Sequence, residues 1–214
     1  MIVENLNKIK SDIPEDVTLV AVSKTKPNSA IMAAYEVGQR AFGENKVQDL
    51  AAKAEALPDD IEWHMIGHLQ TNKVKYIAPF VHLIHGVDSF KLLKEIDKRA
   101  QQQQRIIGCL LQVHIAEEIS KFGLSVLDLQ ALLKESSSLK NIAIKGLMGM
   151  ATNTSDVSVL RKEFAFLKHT FAQFQSEHNE LKILSMGMSG DYAIAIEEGS
   201  TMVRVGSAIF GSRL

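Results

Sequence analysis

The chain has 214 residues, 46% of them hydrophobic, with 24 lysines and arginines against 25 aspartates and glutamates. A net charge of −1 excludes the strongly basic surface of a protein that binds nucleic acid or an anionic membrane, and the length is sufficient for one domain with a sizeable core. A single cysteine, an N-terminus without a long apolar core and no apolar run near the roughly 18 residues of a membrane helix predict a cytoplasmic protein in a reducing compartment.

Short apolar runs alternate with longer amphipathic runs from one end of the chain to the other. After a helix at 2–10, strands are predicted at 18–22, 40–42, 62–66, 81–85, 106–114, 142–148, 182–185 and 202–205. Helices are predicted at 29–37, 46–56, 70–78, 89–103, 127–135, 156–178 and 191–198. In the longest of them, Leu160, Phe164, Leu167 and Phe171 recur three or four residues apart, which indicates a helix face directed at a core.

Strands that alternate with helices are typical of parallel pairing, because a helical crossover returns the chain in the same direction. Eight such units favour an α/β fold of the compact (β/α)8 barrel type. A doubly wound open sheet is the alternative that periodicity leaves open. No break in composition marks a second domain, so residues 1–214 are expected to form a single barrel domain.

Two loops of small residues follow the last two predicted strands. The first, "SMGMSGD" at 185–191, contains Ser189 between two glycines, and the second, "VRVGSAIFG" at 203–211, contains Gly206 and Ser207. In a (β/α)8 barrel the loops after strands 7 and 8 often bind phosphate, and small residues allow the backbone N–H groups to approach an anion. The pattern predicts a phosphate site, and two ordinary turns are the alternative.

Lys24 ends the first strand in "VTLVAVSKTKP", and this strand lies beside the eighth when a barrel closes. An amine at that point can condense with the aldehyde of a phosphorylated ligand, because partial burial and nearby cations favour its neutral, nucleophilic form. The alternative is an ordinary surface lysine. Lys26, in the turn before Pro27, is expected to stay solvated.

Other polar residues at the strand ends are weaker candidates. Asn45 in "FGENKVQ" and His64 in "WHMIGHLQTNK" are placed to line a pocket, or else to cap helices. The spacing of His64 and His68 offers no third ligand, and His82 and His85 are expected to face opposite sides of a strand, so no metal site is predicted. Cys109 in mid-strand is expected to be a core residue.

Six motifs in order give the chain a specific resemblance. The segments "LVAVSKTKP", "FGENKVQ", "WHMIGHLQTNK", "GLMGM", "LSMGMSGD" and "EEGSTMVRVGSAIFGSR" resemble those of the pyridoxal phosphate homeostasis proteins, the YggS/PROSC family. The match extends from about Val17 to Arg213. It implies a barrel similar to the barrel domain of alanine racemase, carrying pyridoxal 5'-phosphate (PLP).

The resemblance also implies roles for individual residues. Lys24 matches the lysine that holds PLP as a Schiff base. Ser189 and the pair Gly206 and Ser207 match phosphate-binding positions, and Arg204 matches the arginine that faces the pyridine nitrogen. With Asn45 and His64 lining the pocket, these residues form the expected cofactor site, to which no catalytic residue and no metal are assigned.

The function implied is a PLP-binding protein that buffers or delivers the cofactor within the cell, as a monomer, with PLP-dependent apo-enzymes as recipients. The main alternative is an amino-acid racemase, and a poorer one is an isomerase or aldolase that uses Lys24 on a sugar phosphate. In alanine racemase a tyrosine from a second, C-terminal domain is one of two acid/base groups, and we expect no such domain because the sequence ends at Leu214. The tyrosines of this chain fall in predicted helices, which leaves His64 as the residue most able to substitute.

Overall fold

Eight parallel strands close into a barrel in which each strand lies beside its neighbour in sequence and the first pairs with the eighth. The computed structural model describes residues 1–117 and 122–211. Ser212, Arg213 and Leu214, which include the end of the last resemblance motif, lie outside the described residues, so the expectation of one domain over 1–214 remains an expectation. The closed barrel confirms the predicted fold class and excludes the open sheet.

The elements follow one another as strand and helix along the chain. The strands are β1 Thr18–Val22, β2 Ala41–Glu44, β3 Glu62–Met65, β4 Leu83–Val87, β5 Ile107–Gln112, β6 Ile142–Met148, β7 Ile183–Met188 and β8 Met202–Val205. The helices are α1 Ile2–Asp12, α2 Asn28–Tyr35, α3 Val47–Ala56, α4 Val74–Ile77, α5 Phe90–Gln102, α6 Val126–Ser136, α7 Val157–Gln175, α8 Tyr192–Glu197 and α9 Ser207–Phe210.

The elements agree closely with the sequence prediction. The bounds of β1, β6 and β8 are the predicted ones, and the other strands differ by a few residues at their ends. Two helical regions differ more. The segment predicted as one helix at 70–78 is a 3-10 turn, Thr71–Lys73, followed by the single turn of α4, and the short helix α9 was not predicted.

Alternating residues of most strands belong to two apolar layers. On β1, Leu19 and Ala21 join the large cluster between the strands and the helices, whereas Val20 belongs to a smaller cluster inside the barrel. The inner cluster takes one residue from each of six strands: Val20, Ala41, Leu83, Leu110, Met148 and Met202. The predicted face of α7 is buried in the outer layer, as expected. Cys109 also lies there, and burial raises the pKa of its thiol to about 12, which makes it an inert core residue.

Because all the strands are parallel, their carboxyl ends meet at one rim of the barrel, where the loops that follow them surround the mouth. Their amino ends meet at the opposite rim, the base. The inner apolar cluster occupies the space between, together with polar side chains from β3, β4, β7 and β8. No helix in 1–117 or 122–211 combines the length and apolar character needed to cross a membrane.

Candidate functional site

A cavity of about 560 Å³ opens at the mouth of the barrel, and we call it the mouth cavity. Six of the seven residues predicted for the cofactor site line it: Lys24, Asn45, Ser189, Arg204, Gly206 and Ser207. They follow or end strands β1, β2, β7 and β8, which neighbour one another around one side of the barrel. The seventh residue, His64, is absent from this lining.

Lys24 is half-buried at the end of β1, where the chain turns sharply. The N–H of Lys26 donates to the carbonyl of Ser23 at 3.0 Å, and Thr25 between the two lysines has a φ of 65°. This left-handed backbone disfavours a β-branched residue, so the turn is held by its surroundings. Lys26 is also half-buried and lines the same cavity, so burial does not distinguish it from Lys24.

A buried ion pair holds the end of β1 immediately before Lys24. The Nζ of Lys53, on α3, donates to Glu44 Oε1 at 2.6 Å and to the carbonyl oxygen of Ser23 at 2.9 Å. The Ser23 hydroxyl donates to the same Glu44 oxygen at 2.6 Å. Glu44 and Ser23 are fully buried and Lys53 is 9% exposed, so the three groups join β1, β2 and α3 largely out of contact with water.

The loops after β7 and β8 meet at Ser189. Its Oγ accepts the N–H of Gly206 at 3.0 Å and the N–H of Ala208 at 3.4 Å. A Cβ on Gly206 would lie 3.1 Å from the carbonyl oxygen of Val22, so glycine permits this loop to approach β1 closely. Two backbone donors and the hydroxyls of Ser189 and Ser207 therefore lie together at one edge of the mouth cavity, where an anion can accept hydrogen bonds.

Arg204 presents a buried cation to the mouth cavity from within β8. Its Nη1 donates to Ser185 Oγ at 2.6 Å and its Nη2 to the carbonyl oxygen of Gly149 at 3.0 Å. Burial lowers the pKa of the guanidinium to about 10, and the negative charge of Asp191 partly opposes that shift. The side chain is therefore positively charged at neutral pH.

Two histidines continue the hydrogen bonds of Arg204 through the barrel. His85 Nδ1 lies 3.2 Å from Ser185 Oγ, and His85 Nε2 lies 2.8 Å from His64 Nδ1. Because β4 and β7 are not neighbours, the first of these bonds crosses the barrel interior. Burial is the main cause that lowers the pKa of His64 to about 3 and that of His85 well below its usual value, so both rings are neutral at pH 7.

His64 lies deep in the barrel rather than at its mouth. It lies two residues after Glu62 on β3, on the same side of the strand, and lines a smaller cavity at the opposite end of the barrel, so its predicted place in the cofactor pocket has no support in the geometry. His68, four residues on, lines the mouth cavity instead, with its ring stacked on Phe122 at 4.3 Å. The rings of His82 and His85 lie 5.4 Å and 5.1 Å from that of His64, which corrects the expectation that they face opposite sides.

Two structural features of the site were missed in the sequence. Glu44 and Lys53 were not among the predicted site residues, although the apolar residues directly before Glu44 in "AFGE" were a signal of burial. Gly67 is the other, since a Cβ there would lie 2.4 Å from the carbonyl oxygen of Asn45. The glycine in "IGHLQ" therefore sets the distance between the loops after β2 and β3.

Comparison with known proteins gives consistent matches over nearly the whole chain. The family described as alanine racemase, N-terminal domain, matches residues 1–214. Curated proteins named pyridoxal phosphate homeostasis protein are similar: one from Vibrio alginolyticus is 42% identical over 94% of this chain and 88% of its own, and one from Aquifex aeolicus is 41% identical over 91% and 86%. The structure of PipY from Synechococcus elongatus with PLP bound superimposes with a TM-score of 0.91 at 38% identity, covering 99% of this chain and 100% of PipY. These matches confirm the resemblance found in the sequence.

The buried ion pair generates a test of how the site is held. We expect Lys53→Met to lower the free energy of unfolding by about 3–5 kcal/mol, because it leaves the Glu44 carboxylate buried without its cation. The double variant Glu44→Gln/Lys53→Met removes both charges and is expected to recover most of that loss. Urea denaturation followed by circular dichroism measures both.

The matched control is Lys46→Met, which removes an exposed lysine beside the start of the same helix and is expected to change stability by less than about 0.5 kcal/mol. A Lys53→Met protein as stable as the control would show that the pair does not hold the end of β1.

Proposed function

Because the chain belongs to the family of pyridoxal phosphate homeostasis proteins, we propose that it binds PLP in the mouth cavity and takes part in PLP homeostasis. One observation carries the proposal. The cavity brings together a half-buried amine, a cluster of hydroxyl and backbone N–H donors, and a buried guanidinium. PLP carries an aldehyde, a phosphate and a ring nitrogen, and each of these groups has a counterpart in that set.

We assign Lys24 as the residue that binds the aldehyde. Its Nζ would bond to the aldehyde carbon, with the aldehyde oxygen leaving as water. The sharp turn from Ser23 to Lys26 and the ion pair beneath it support this role, since a nucleophile must be held in place with respect to its target. Lys26 lines the cavity from the other side of Thr25 and is the competing candidate.

The phosphate belongs, in this proposal, at the edge formed by Ser189, Gly206 and Ser207. The N–H groups of Gly206 and Ala208 that now converge on Ser189 Oγ are free to donate to phosphate oxygens if the serine side chain rotates. Charge-assisted bonds of this kind are about twice as strong as neutral ones. Asn45, directly after β2, lines the cavity and is assigned to the wall around the ring.

Arg204 supports a binding rather than a catalytic role. A fixed positive charge beside the ring nitrogen disfavours protonation of that nitrogen, and an unprotonated ring is a weaker electron sink. We therefore infer that the protein holds PLP without turning over amino acids.

The acid/base groups of the cavity support the same conclusion. Racemisation needs a proton to be removed on one face of a carbon and delivered on the other. All three tyrosines, Tyr35, Tyr76 and Tyr192, are in the described part of the chain, and none of them lines the mouth cavity. His68 does line it, so His68 replaces His64 as the residue to test for a second acid/base role.

An accessible mouth cavity fits a homeostatic role in which the protein delivers PLP to PLP-dependent apo-enzymes. Ser207 is exposed and Lys24, Asn45 and Ser189 are only half-buried, so a ligand in the mouth cavity stays within reach of solvent and of another protein. We propose that the chain acts in this way as a cytoplasmic monomer, with residues 1–214 as one barrel domain.

The first test concerns the covalent attachment. Lys24→Ala is expected to lose the visible absorbance of bound PLP and the borohydride-fixed label on the protein, because this variant lacks the amine that we assign to the aldehyde. Lys26→Ala is the matched control and should retain both. Mass mapping of the reduced protein that places the label on Lys26 would overturn the assignment.

The second test concerns the phosphate edge. Ser189→Asp is expected to weaken PLP binding by about 100-fold, since a carboxylate a few ångströms from a phosphate is strongly unfavourable at a partly buried site. Ser189→Ala removes only a hydroxyl and should weaken binding by about tenfold or less. Fluorescence titration with PLP and with pyridoxal, which lacks the phosphate, measures the difference. If Ser189→Asp lowers the affinity for PLP and for pyridoxal by the same factor, the phosphate binds elsewhere.

The third test separates a binding protein from a racemase. The PLP-loaded protein, incubated with L-alanine and other amino acids, is expected to form no more D-enantiomer than Lys24→Ala or PLP alone, as measured by chiral chromatography. If D-enantiomer accumulates and disappears in both Lys24→Ala and His68→Asn, the protein is an enzyme that uses those two residues.

A further inference from the structure

A second cavity, of about 170 Å³, lies at the base of the barrel, on the opposite side of the inner apolar cluster from the mouth. We call it the base cavity. Three residues with metal-binding side chains line it, Glu62, His64 and His82, together with Lys145 and apolar residues. The proposed PLP function makes no use of this group.

We propose that Glu62, His64 and His82 bind a divalent transition metal ion at the base of the barrel, with zinc the ion that best fits the ligands. One carboxylate and two imidazoles form a ligand set typical of zinc, with further coordination from water. The ligand atoms of the three residues all lie within 4.8 Å of one another. Ligands bound to zinc at about 2.1 Å in tetrahedral geometry lie about 3.4 Å apart, so the side chains need to close by little more than 1 Å.

The strand geometry explains why these three residues meet. Glu62 and His64 are two apart on β3 and therefore point to the same side, into the barrel. His82 directly precedes β4, which pairs with β3 so that His64 lies beside Leu83. Glu62 and His82 are exposed at the rim and can adjust, whereas His64 is fixed in the interior.

A separate observation points to a ligand at His64. His64 is only 2% exposed, and its Nε2 is buried without a hydrogen-bond partner among residues 1–117 and 122–211. A buried polar atom without a partner is unfavourable, and a metal ion on Nε2 would satisfy it. The other nitrogen, Nδ1, contacts His85 Nε2 at 2.8 Å. Histidines that bind metals usually donate their second N–H in this way, which fixes the ring.

Lys145 is the group that opposes a cation in the base cavity. It is half-buried, and its Cε lies 3.2 Å from the position that a Cβ on Gly108 would occupy, so its stem runs along the interior wall. Its charge weakens metal binding without blocking it, since the flexible side chain can turn toward solvent at the rim. Removing the charge of Lys145 is therefore expected to tighten metal binding in the base cavity. It would not change the affinity of an unrelated metal site on the surface.

The test is a calorimetric titration of zinc chloride into the purified full-length chain after treatment with a chelator. We expect one zinc per chain and a rise in melting temperature of about 5 °C at a hundredfold excess of free zinc over the dissociation constant. Glu62→Gln and His82→Gln should each weaken binding by at least tenfold. Both residues are exposed, so circular dichroism without metal should show an unchanged fold.

The matched controls are Glu135→Gln and His169→Gln, which change exposed residues on the outer helices and should bind zinc as the unaltered chain does. Lys145→Gln should bind it several-fold more tightly. Absence of zinc binding, or equal affinity in Glu62→Gln, His82→Gln and the controls, would overturn the proposal. The titration contains no PLP, so its outcome is independent of the proposed function.

Discussion

The pairing of Glu44 with Lys53 is the constraint on which the mouth of the barrel depends. Burying two charges is unfavourable unless they meet each other and further hydrogen-bonding groups, and here the further groups belong to Ser23. The carbonyl oxygen of Ser23 accepts a hydrogen bond from Lys53. The stability of the buried pair therefore depends on the position of Ser23, the residue before Lys24. A shift of the turn would break the hydrogen bonds between Ser23 and the buried pair, and this cost opposes movement of Lys24.

The adjoining wall of the mouth, formed by β8, depends on neutral groups. Arg204 donates to a hydroxyl and a carbonyl, and beyond the hydroxyl lies a pair of imidazoles that burial keeps uncharged. Such partners orient a guanidinium without cancelling its charge, whereas a carboxylate in the same place would neutralise it. The cation therefore acts on whatever occupies the cavity, and its position is set by side chains from three other strands, β3, β4 and β7.

The sequence predicted the fold well because alternating strand and helix patterns restrict a chain of this length to few parallel topologies. It also placed Lys24, Ser189 and the residues after β8 correctly at the mouth, since position at a strand end is a local property. Partnerships across elements were not predictable in this way. Lys53 lies nine residues from Glu44 on a different element, and only the packing of α3 against the barrel brings them together.

The depth of His64 in the barrel was likewise not predictable from the sequence. Alternation predicts which side of β3 a residue faces, but the tilt and stagger of strands in a barrel decide whether it lies near the mouth or near the base. At its actual depth, His64 is the last member of a chain of contacts that begins at Arg204. A metal ion on its Nε2 would require the proton on Nδ1, so that His64 donates to His85 and His85 in turn donates to Ser185. The hydroxyl would then accept from both His85 and Arg204, and an event at the base would fix the hydrogen bonding of the cation at the mouth.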